Sequence, residues 1–339
     1  MPNNLNRLLI ENTVRKTINQ IKNDPERGIR NVVDLALTFS NGRFQKHFLS
    51  LAQKMLSDEH SSYYRMIPEQ LANIDTERLI AFGMNVGYNS CTYGAEKIRS
   101  IEKKEHFNIP WTISLSLSGA DYLERKASYR SLIEQGTELG IFTWNIFSLG
   151  NLYTLLEIVE AFPDCAFTIF CNPTEISRAI LDEAANLNNV MFVIKYSEQT
   201  ERACSLLRSG KFLYSVYVSY DEENVDSILC GDLLADTEQF SPSFTIFTAS
   251  SRCSLLSTQD TVYEYIKTTR LQQSHRTIPF DMLHDVQYID SIISNEAVTV
   301  SLNREGVLHP LSAAQSQEVP NSVFNYPLTD LLKQLSQIR

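Results

Sequence analysis

The sequence predicts an α/β fold, namely a TIM-like (β/α) barrel, full or partial, with an N-terminal helical extension. Three observations support this class. Short runs rich in β-branched and aromatic residues recur from residue 79 onward, and helical stretches separate them. Strands that alternate with helices at this spacing form parallel βαβ units. The length of 339 residues accommodates one large barrel, which commonly takes about 250 residues, together with appendages.

Helical periodicity dominates the first 74 residues. Leu5, Leu8 and Leu9 recur at steps of three and four, as do the apolar residues of 32–39, and the turn residues of 40–42 follow. Two or three helices are therefore expected before the first strand. The predicted domains are a helical extension over 1–75, a β/α barrel over 76–311, and a C-terminal tail and helix over 312–339.

Seven runs in the middle of the chain are predicted as strands, with an eighth candidate at 297–302. The seven runs are 79–86, 111–117, 141–148, 166–171, 190–196, 213–219 and 244–249. Helices are predicted between them, at 120–139, 152–162 and 175–187. A doubly wound open sheet is the structural alternative to the barrel.

The last quarter of the chain departs from this alternation of strands and helices. Residues 258–290 predict a helix followed by a long connecting segment, which contains a polar run and Pro279. Residues 298–311 predict a strand, a turn and a short return strand. A polar, irregular stretch over 312–325 and a terminal helix over 329–338 complete the chain.

Composition excludes several classes of partner. The 30 Lys and Arg residues against 40 Asp and Glu residues give a net charge of −10, which argues against nucleic-acid or anionic membrane partners. No apolar run approaches the roughly 20 residues that span a bilayer, and the N-terminus lacks a signal-peptide core, so we expect a cytoplasmic protein. The six cysteines are scattered, which indicates reduced, mostly buried thiols and no metal site.

The segment 79–99 contains Gly87, Cys91 and Gly94 at spacings of x3 and x2, with Tyr93 before the last glycine. This layout resembles the Cys-x3-Cys-x2-Cys loop of radical S-adenosylmethionine (SAM) enzymes, with both outer cysteines replaced by glycine. In that family the loop follows the first strand, and its three thiolates hold a four-iron cluster whose open iron binds SAM.

Glycine has no side chain and cannot ligate iron, so the resemblance implies a scaffold that has lost its cluster. No cofactor is therefore expected. SAM or a four-iron cluster is expected as a cofactor only if this interpretation is wrong. The alternative is an ordinary βα turn in which glycine permits unusual backbone angles.

Two further segments resemble the same family in altered form. Residues 118–121, Ser-Gly-Ala-Asp, follow the run 111–117, which is the second of the predicted strands. In the family a Gly-Gly-Glu run that binds the SAM amino group follows the second strand. Residues 298–311 resemble the strand-turn element that opens the auxiliary-cluster (SPASM-type) extension, but Leu311 stands where that element has cysteine.

A parallel barrel places its site at the carboxyl ends of the strands. Polar residues near the predicted strand ends are therefore candidates for contact with a small polar ligand or a peptide at the barrel mouth. The predicted ligand-binding residues are Asn85, Tyr88, Asn89, Cys91, Asn145, Asn172, Ser250 and Arg252. Candidates for acid/base or nucleophilic catalysis are Lys195, Asp121 and Asp221.

The leading functional prediction is a non-catalytic binding or accessory protein for a peptide, protein or small polar ligand. The alternative is a cofactor-independent barrel enzyme of the Schiff-base lyase or aldolase type, in which a desolvated Lys195 is the nucleophile. The competing interpretation of Lys195 is an ammonium that extends into solvent at the strand end. A third hypothesis is a structural protein that assembles with a partner through its N-terminal helices.

Overall fold

A computed structural model describes residues 4–39, 43–56, 58, 60–253, 255–311 and 320–338. The predicted turn at 40–42 and most of the predicted irregular tail, 312–319, lie outside these residues. The chain forms two compact units. Unit 1 comprises Met1–Ile80 and Val193–His284, and unit 2 comprises Ala81–Phe192 and Asp285–Arg339. The domain boundaries expected from the sequence remain a prediction.

Nine strands form one sheet in the order β7-β6-β5-β4-β3-β2-β1-β8-β9. The strands are β1 Thr112–Leu117, β2 Thr143–Ser148, β3 Ala166–Cys171, β4 Val190–Lys195, β5 Tyr214–Tyr220, β6 Phe244–Ala249, β7 Ile278–Asp281, β8 Val300–Leu302 and β9 Leu308–Pro310. Strand β1 pairs in parallel with β2 and β8, β2 with β3, and β6 with β5 and β7. The short β9 runs antiparallel to β8.

Sixteen α-helices occur in the part of the chain that the structure describes. They are α1 Asn4–Asn23, α2 Pro25–Phe39, α3 Arg43–Met55, α4 Tyr63–Asn73, α5 Thr76–Met84, α6 Ala95–Glu105, α7 Gly119–Glu124, α8 Lys126–Leu139, α9 Leu152–Ala161, α10 Arg178–Glu183, α11 Thr200–Ser209, α12 Val225–Leu229, α13 Asp232–Glu238, α14 Leu256–Gln272, α15 His284–Ile293 and α16 Leu328–Ile338. A π-helical segment, Asn85–Gly94, joins α5 to α6. No described helix combines the length and the hydropathy that crossing a bilayer would need.

The predicted strand at 79–86 is wrong, because this segment is helical. The Asp75 carboxylate accepts the backbone N–H of Arg78 (3.2 Å) and caps α5. Ile80, Met84 and Tyr88 are buried at steps of four, and this is the spacing of one helix face. The segment therefore continues from α5 through the π-helix into α6, and the first strand is β1.

In unit 2, β1, β2 and β3 bury an apolar face against helices. Ile113, Leu115 and Trp144 on this face are completely buried. The Trp144 indole packs on Gly136 of α8, where a Cβ would lie 2.5 Å from the ring. Burial of such side chains contributes roughly 1.5–3 kcal/mol each. The helix predicted at 120–139 is interrupted at Arg125, which separates α7 from α8.

In unit 1, β5 and β6 pack against α12, α13 and α14. The buried core residues are Val218, Tyr220, Ile228, Leu234, Phe247, Cys253, Val262 and Ile266. Strand β7 was not predicted, since it is only four residues long and contains Pro279. The return strand predicted after residue 306 is confirmed as β9.

Candidate functional site

The predicted site residues fall into three places. Asn85, Tyr88, Asn89 and Cys91 lie in the π-helical segment; Asp121, Asn145 and Asn172 lie elsewhere in unit 2; Lys195, Asp221, Ser250 and Arg252 lie in unit 1.

The two asparagines of the π-helical segment bind the loop before β3. Asn85 Nδ2 donates to the carbonyls of Pro163 (2.8 Å) and Cys165 (3.0 Å), and Asn89 Nδ2 donates to that of Asp164 (2.8 Å). These carbonyls precede the first residue of β3. The expectation that this segment forms a barrel mouth is therefore corrected, because it packs at the amino ends of the strands.

Cys91 and Tyr88 are buried in the same segment. Burial raises the pKa of the Cys91 thiol to about 12, so the thiol stays protonated at neutral pH. Only a thiolate ligates iron or zinc well. The Tyr93 ring packs on Phe142 at a centroid distance of 5.8 Å, next to the amino end of β2. This segment is thus part of the scaffold.

The loops that follow β1 and β2 bind each other directly at the carboxyl ends of these strands. Leu149 N–H donates to Leu117 O (3.0 Å), and Gly119 N–H donates to Gly150 O (2.9 Å). A Cβ at residue 119 would lie 2.5 Å from Asn151 O, so this close approach requires glycine. The connection from β1 to α7 is a single residue, Ser118.

Asp121 is held by four hydrogen bonds at this edge. Its Oδ2 accepts the N–H (2.8 Å) and the hydroxyl (2.7 Å) of Ser118. Arg304, in the turn between β8 and β9, donates to Oδ2 (3.1 Å) and Oδ1 (2.7 Å). The Arg304 guanidinium and Ser118 lower the pKa of Asp121 to about 2. Asp121 is therefore an ionised partner of Arg304 and a weak proton acceptor at neutral pH, which argues against its predicted catalytic role.

Asn172 follows β3 and is exposed, and its backbone N–H donates to Glu175 Oε2 (3.0 Å). The hydroxyl of Ser148, the last residue of β2, donates to Glu175 Oε1 (2.8 Å). Glu175 thus connects the ends of two neighbouring strands. The sequence pattern does not predict this role of Glu175.

Five polar side chains lie in one lateral row across unit 2. The residues are paired by strand register, and the row is Thr168 (β3), Asn145 (β2), Ser114 (β1), Ser301 (β8) and His309 (β9). Residues opposite each other in a sheet share a face, so the five point to the same side. Asn145 Nδ2 donates to Thr112 Oγ1 (3.2 Å). We call this set the polar row.

An aromatic pair lies beside the polar row. Phe147 and Phe170 follow Asn145 and Thr168 by two residues, so they share the same face. Their rings stack at a centroid distance of 4.3 Å and an angle of 13°. Among the predicted residues only Asn145 belongs to the row, although the alternation of Thr112, Ser114 and Ser116 with buried aliphatic residues could have indicated it.

In unit 1 three predicted residues come together after β5 and β6. Arg252 Nη2 lies 2.7 Å from the buried Asp221 Oδ2. Ser250 Oγ accepts the N–H of Arg252 (3.2 Å), and Ser250 N–H donates to Tyr220 O (2.7 Å). Arg252 is exposed, so this ion pair closes the loop at the surface.

Lys195 is the last residue of β4 and is exposed. The Schiff-base hypothesis required a desolvated ammonium. Because Lys195 is exposed, its ammonium is not desolvated. The side chain matches the alternative in which the ammonium extends into solvent at the strand end. Within the described part of the chain, no three His, Cys, Asp or Glu residues are grouped in a geometry that could hold a metal ion.

Comparison with solved structures identifies the fold. The SAM-bound structure of Streptococcus suis SuiB matches with a TM-score of 0.51 and 11% identity, covering 69% of this chain and 66% of SuiB, slightly less than two thirds. The structure of Streptococcus suis SuiB bound to the precursor peptide SuiA matches with a TM-score of 0.49 and 11% sequence identity. The match covers 69% of this chain and 67% of SuiB. The structure of a histidine-tagged anSMEcpe with bound AdoMet matches with a TM-score of 0.43 and 9% sequence identity. The match covers 66% of this chain and 78% of anSMEcpe. The chain matches no protein-family model and no curated protein sequence.

The comparison with SAM-bound SuiB confirms the predicted radical SAM-like fold. The fold class, a partial (β/α) barrel with N-terminal helices, is confirmed as well. At this identity the match concerns the fold and not the chemistry.

The residues present do not fit a four-iron cluster with SAM. In the radical SAM family, which the sequence resembles, the cluster loop follows the first strand, and the first strand of this chain is β1. That place is taken by Ser118 and by the Gly119–Gly150 contact, and the sequence has no cysteine between residues 92 and 164. A cluster of this kind needs three thiolates.

Proposed function

We propose that this chain is a non-catalytic binding or accessory protein built on a radical SAM-like fold, with a small polar ligand or a peptide as its ligand. The observation that carries the proposal is the direct contact between the loops after β1 and β2. Gly119 N–H bonds to Gly150 O (2.9 Å), and Asn151 packs against the α-carbon of Gly119. Neither the connection after β1, Ser118, nor the loop after β2, residues 149–151, contains a cysteine, so neither supplies a thiolate for a cluster.

The glycine and cysteine pattern does not offer a substitute site. Cys91 is buried at the amino ends of the strands, and Gly94 lies against Gly140 O and Asn89 O. We therefore infer that iron chemistry is lost because of the short β1–α7 connection rather than because of residues 87–94. As part of the proposal we place the protein in the cytoplasm, because its six cysteines are free thiols and only Cys230 is exposed.

The polar row supports the binding role. It offers hydroxyl groups, an amide and an imidazole, and Ser114, Asn145 and Thr168 are all buried. Such groups suit hydrogen bonding to uncharged amides or hydroxyls, and buried polar groups of this kind give orientation and specificity. The Phe147–Phe170 pair adds an apolar surface for a ring or a side chain.

Anaerobic reconstitution with iron and sulfide tests the proposal that the chain is non-catalytic and holds no iron–sulfur cluster. We expect no absorbance near 400 nm above that of a sample without sulfide, and no heat on titration with SAM. A radical SAM enzyme reconstituted in parallel is the positive control. Uptake of about four irons per chain, followed by reductive cleavage of SAM, would refute the proposal.

The proposed binding of a small polar ligand or a peptide is tested by measuring the shift in Tm with two uncharged probes. The probes are adenosine and the blocked peptide N-acetyl-Gly-Ser-Phe-amide. A ligand at 100 times its Kd stabilises a folded protein by about 2.7 kcal/mol, which raises Tm measurably. We expect a shift with one of the probes that Asn145→Leu abolishes and the exposed Asn172→Leu keeps. The absence of a shift with both probes contradicts the ligand class.

A further inference from the structure

We propose that one exposed face of α1 docks an acidic amphipathic helix of a partner protein or peptide. This face, which we call the α1 face, consists of Leu5, Leu8, Leu9, Asn12 and Lys16. The inference goes beyond the proposed function and uses none of the residues of the polar row, so either can fail without the other.

The apolar part of the α1 face is a cluster of leucines. Leu5, Leu8 and Leu9 follow one another at steps of three and four, so their side chains are neighbours on the helix surface. They are 68%, 53% and 59% exposed. Single exposed leucines are ordinary on a folded protein, whereas adjoining ones mark a surface that a partner covers.

The opposite side of α1 makes the packing contacts of this helix. Ile18 follows Leu9 by nine residues, which is about two and a half turns, and it is buried. Ile21 is also buried and lies against α2, where a Cβ at Gly28 would be 2.6 Å from the Ile21 backbone. Arg15 donates to Glu77 of α5 (2.7 Å). These contacts hold α1 in unit 1 with its leucines directed outward.

The charge of the first and third helices determines the charge of the partner. Together α1 and α3 contain seven Lys and Arg residues and one acidic residue, Glu11, which gives +6 in a chain whose net charge is −10. Glu11 accepts from Arg15 (2.9 Å) and is thus paired with a cation. Both helices pack on α2, since Gln53 of α3 donates to Asp34 of α2 (2.8 Å). This basic region of an acidic protein attracts an acidic partner.

The order of residues along the α1 face specifies the pattern of that partner. Lys16 follows Leu5 by 11 residues, which is about three turns and about 16 Å along the same side of the helix. A helix lying along this face would place apolar residues, at steps of three and four, on the leucines. The same helix would place a carboxylate near Lys16.

A second copy of this chain fits the α1 face less well. In a parallel self-pair Lys16 meets Lys16, and in an antiparallel one it meets the leucines of the other copy. Neither arrangement brings a carboxylate of this face to the lysine, and like charges that face each other disfavour association. An anionic bilayer is also less suitable, because the charge of −10 on the whole chain opposes its approach.

The probe is a fluorescein-labelled peptide of three Leu-Glu-Glu-Leu-Leu-Glu-Ala repeats, whose leucines have the spacing of the α1 face. Fluorescence anisotropy with the full-length protein measures its affinity. We expect Leu9→Gln and Lys16→Glu each to weaken binding by about fivefold or more, and added salt to weaken binding to wild type. Leu123→Gln and Lys103→Glu change exposed residues of unit 2 and, as matched controls, leave the affinity unchanged. Asn145→Leu, which tests the polar row, leaves it unchanged as well.

The absence of binding, or binding that persists in Leu9→Gln, overturns the proposal. Equal affinity for a peptide with Lys in place of Glu overturns the acidic partner, and this comparison uses only wild-type protein, so it does not depend on the folding of a variant. Flotation with vesicles of phosphatidylcholine and phosphatidylserine, and sedimentation of the chain alone, test the other occupants. Vesicle binding or a dimer that Leu9→Gln removes assigns the α1 face to lipid or to a second copy, and either result overturns the proposal.

Discussion

At the scale of single residues, the pair formed by Asp121 and Arg304 links α7 to the turn between β8 and β9. The folded state holds the pKa of Asp121 at about 2, below its ordinary value of 3.8. A carboxyl whose pKa is lowered by folding stabilises the folded chain above its unfolded pKa. This contribution is present at neutral pH and is lost as the pH falls from about 4 through about 2.

We expect Asp121→Asn to lower the free energy of unfolding by about 1–2 kcal/mol at pH 7, because it removes both the ion pair and part of a helix cap. The figure is modest since Arg304 is more than half exposed to water. Urea unfolding measures it, and the difference from wild type narrows toward pH 2. Arg304→Gln serves as the second arm of a double-mutant cycle, and fully additive effects would contradict the coupling.

Thiol reactivity depends on burial in this chain. Cys91, Cys165 and Cys204 are buried, and burial raises the pKa of each thiol to about 12. Cys230 is the exposed cysteine. We expect Ellman's reagent at pH 8 to label one thiol per native chain rapidly, and Cys230→Ser to remove that phase. Rapid labelling of three or more thiols would contradict the buried positions.

At the scale of elements, the π-helical segment contains two glycines with opposite surroundings. A Cβ at residue 94 would overlap Gly140 O and lie 2.8 Å from Asn89 O, whereas a Cβ at residue 87 meets nothing within 4 Å. We expect Gly94→Ala to destabilise the chain by about 2–3 kcal/mol through overpacking.

Gly87→Ala is the matched control, and we expect it to change stability by less than about 1 kcal/mol, because alanine suits helical backbone better than glycine does. Thermal melts of both variants provide the measurement. Equal effects would mean that the segment does not pack as described.

The sequence predicted most strands of the sheet but not the nature of the segment 79–86. Its apolar residues satisfy a strand pattern as well as a helical one, and short apolar runs are ambiguous in this respect. The signal that decides it is the cap at Asp75 together with buried Ile80 and Met84 four residues apart. The resemblance of 87–94 to a cluster loop rests on the spacing of Gly87, Cys91 and Gly94, but the segment before it is helix α5 and not the first strand.

The candidate site was predicted only in part for a related reason. Asn145 was selected because it lies in a strand, but its partners Ser301 and His309 become its neighbours only through strand order and register. A one-residue change in register would turn these side chains to the other face, and the sequence of one strand does not show which strands lie beside it. Glu175 and Arg304 are not indicated by the strand pattern, because Glu175 lies in a short 3-10 helix and Arg304 lies in a turn.

At the scale of the whole molecule, the N-terminal helices bind residues far along the chain within unit 1. Ser62 N–H donates to Gln273 O (3.1 Å), and Asp75 N–H donates to Lys211 O (2.9 Å). We expect deletion of residues 1–75 to lower Tm by at least about 10 °C, because it removes buried apolar surface and leaves these carbonyls unpaired.

Circular dichroism melts and gel filtration of the shortened chain measure this effect. Supplying residues 1–75 as a separate polypeptide is the control, and we expect it to restore part of the lost stability. An unchanged Tm would instead support the helices as a separate extension, as the sequence analysis expected.

The two terminal strands in the sheet order, β7 and β9, each contain a proline. Ile278 and Met282 donate their N–H groups toward β6, so the nitrogen of Pro279 points away from the sheet. Leu311 N–H donates to Thr299 O beside β8, which directs the nitrogen of Pro310 outward in the same way. At each edge of the sheet, proline therefore lacks the backbone N–H that would bond to an added strand. Natural sheets use proline in edge strands to prevent aggregation by strand addition. We infer that the protein resists self-templated polymerisation even while its sheet remains unclosed.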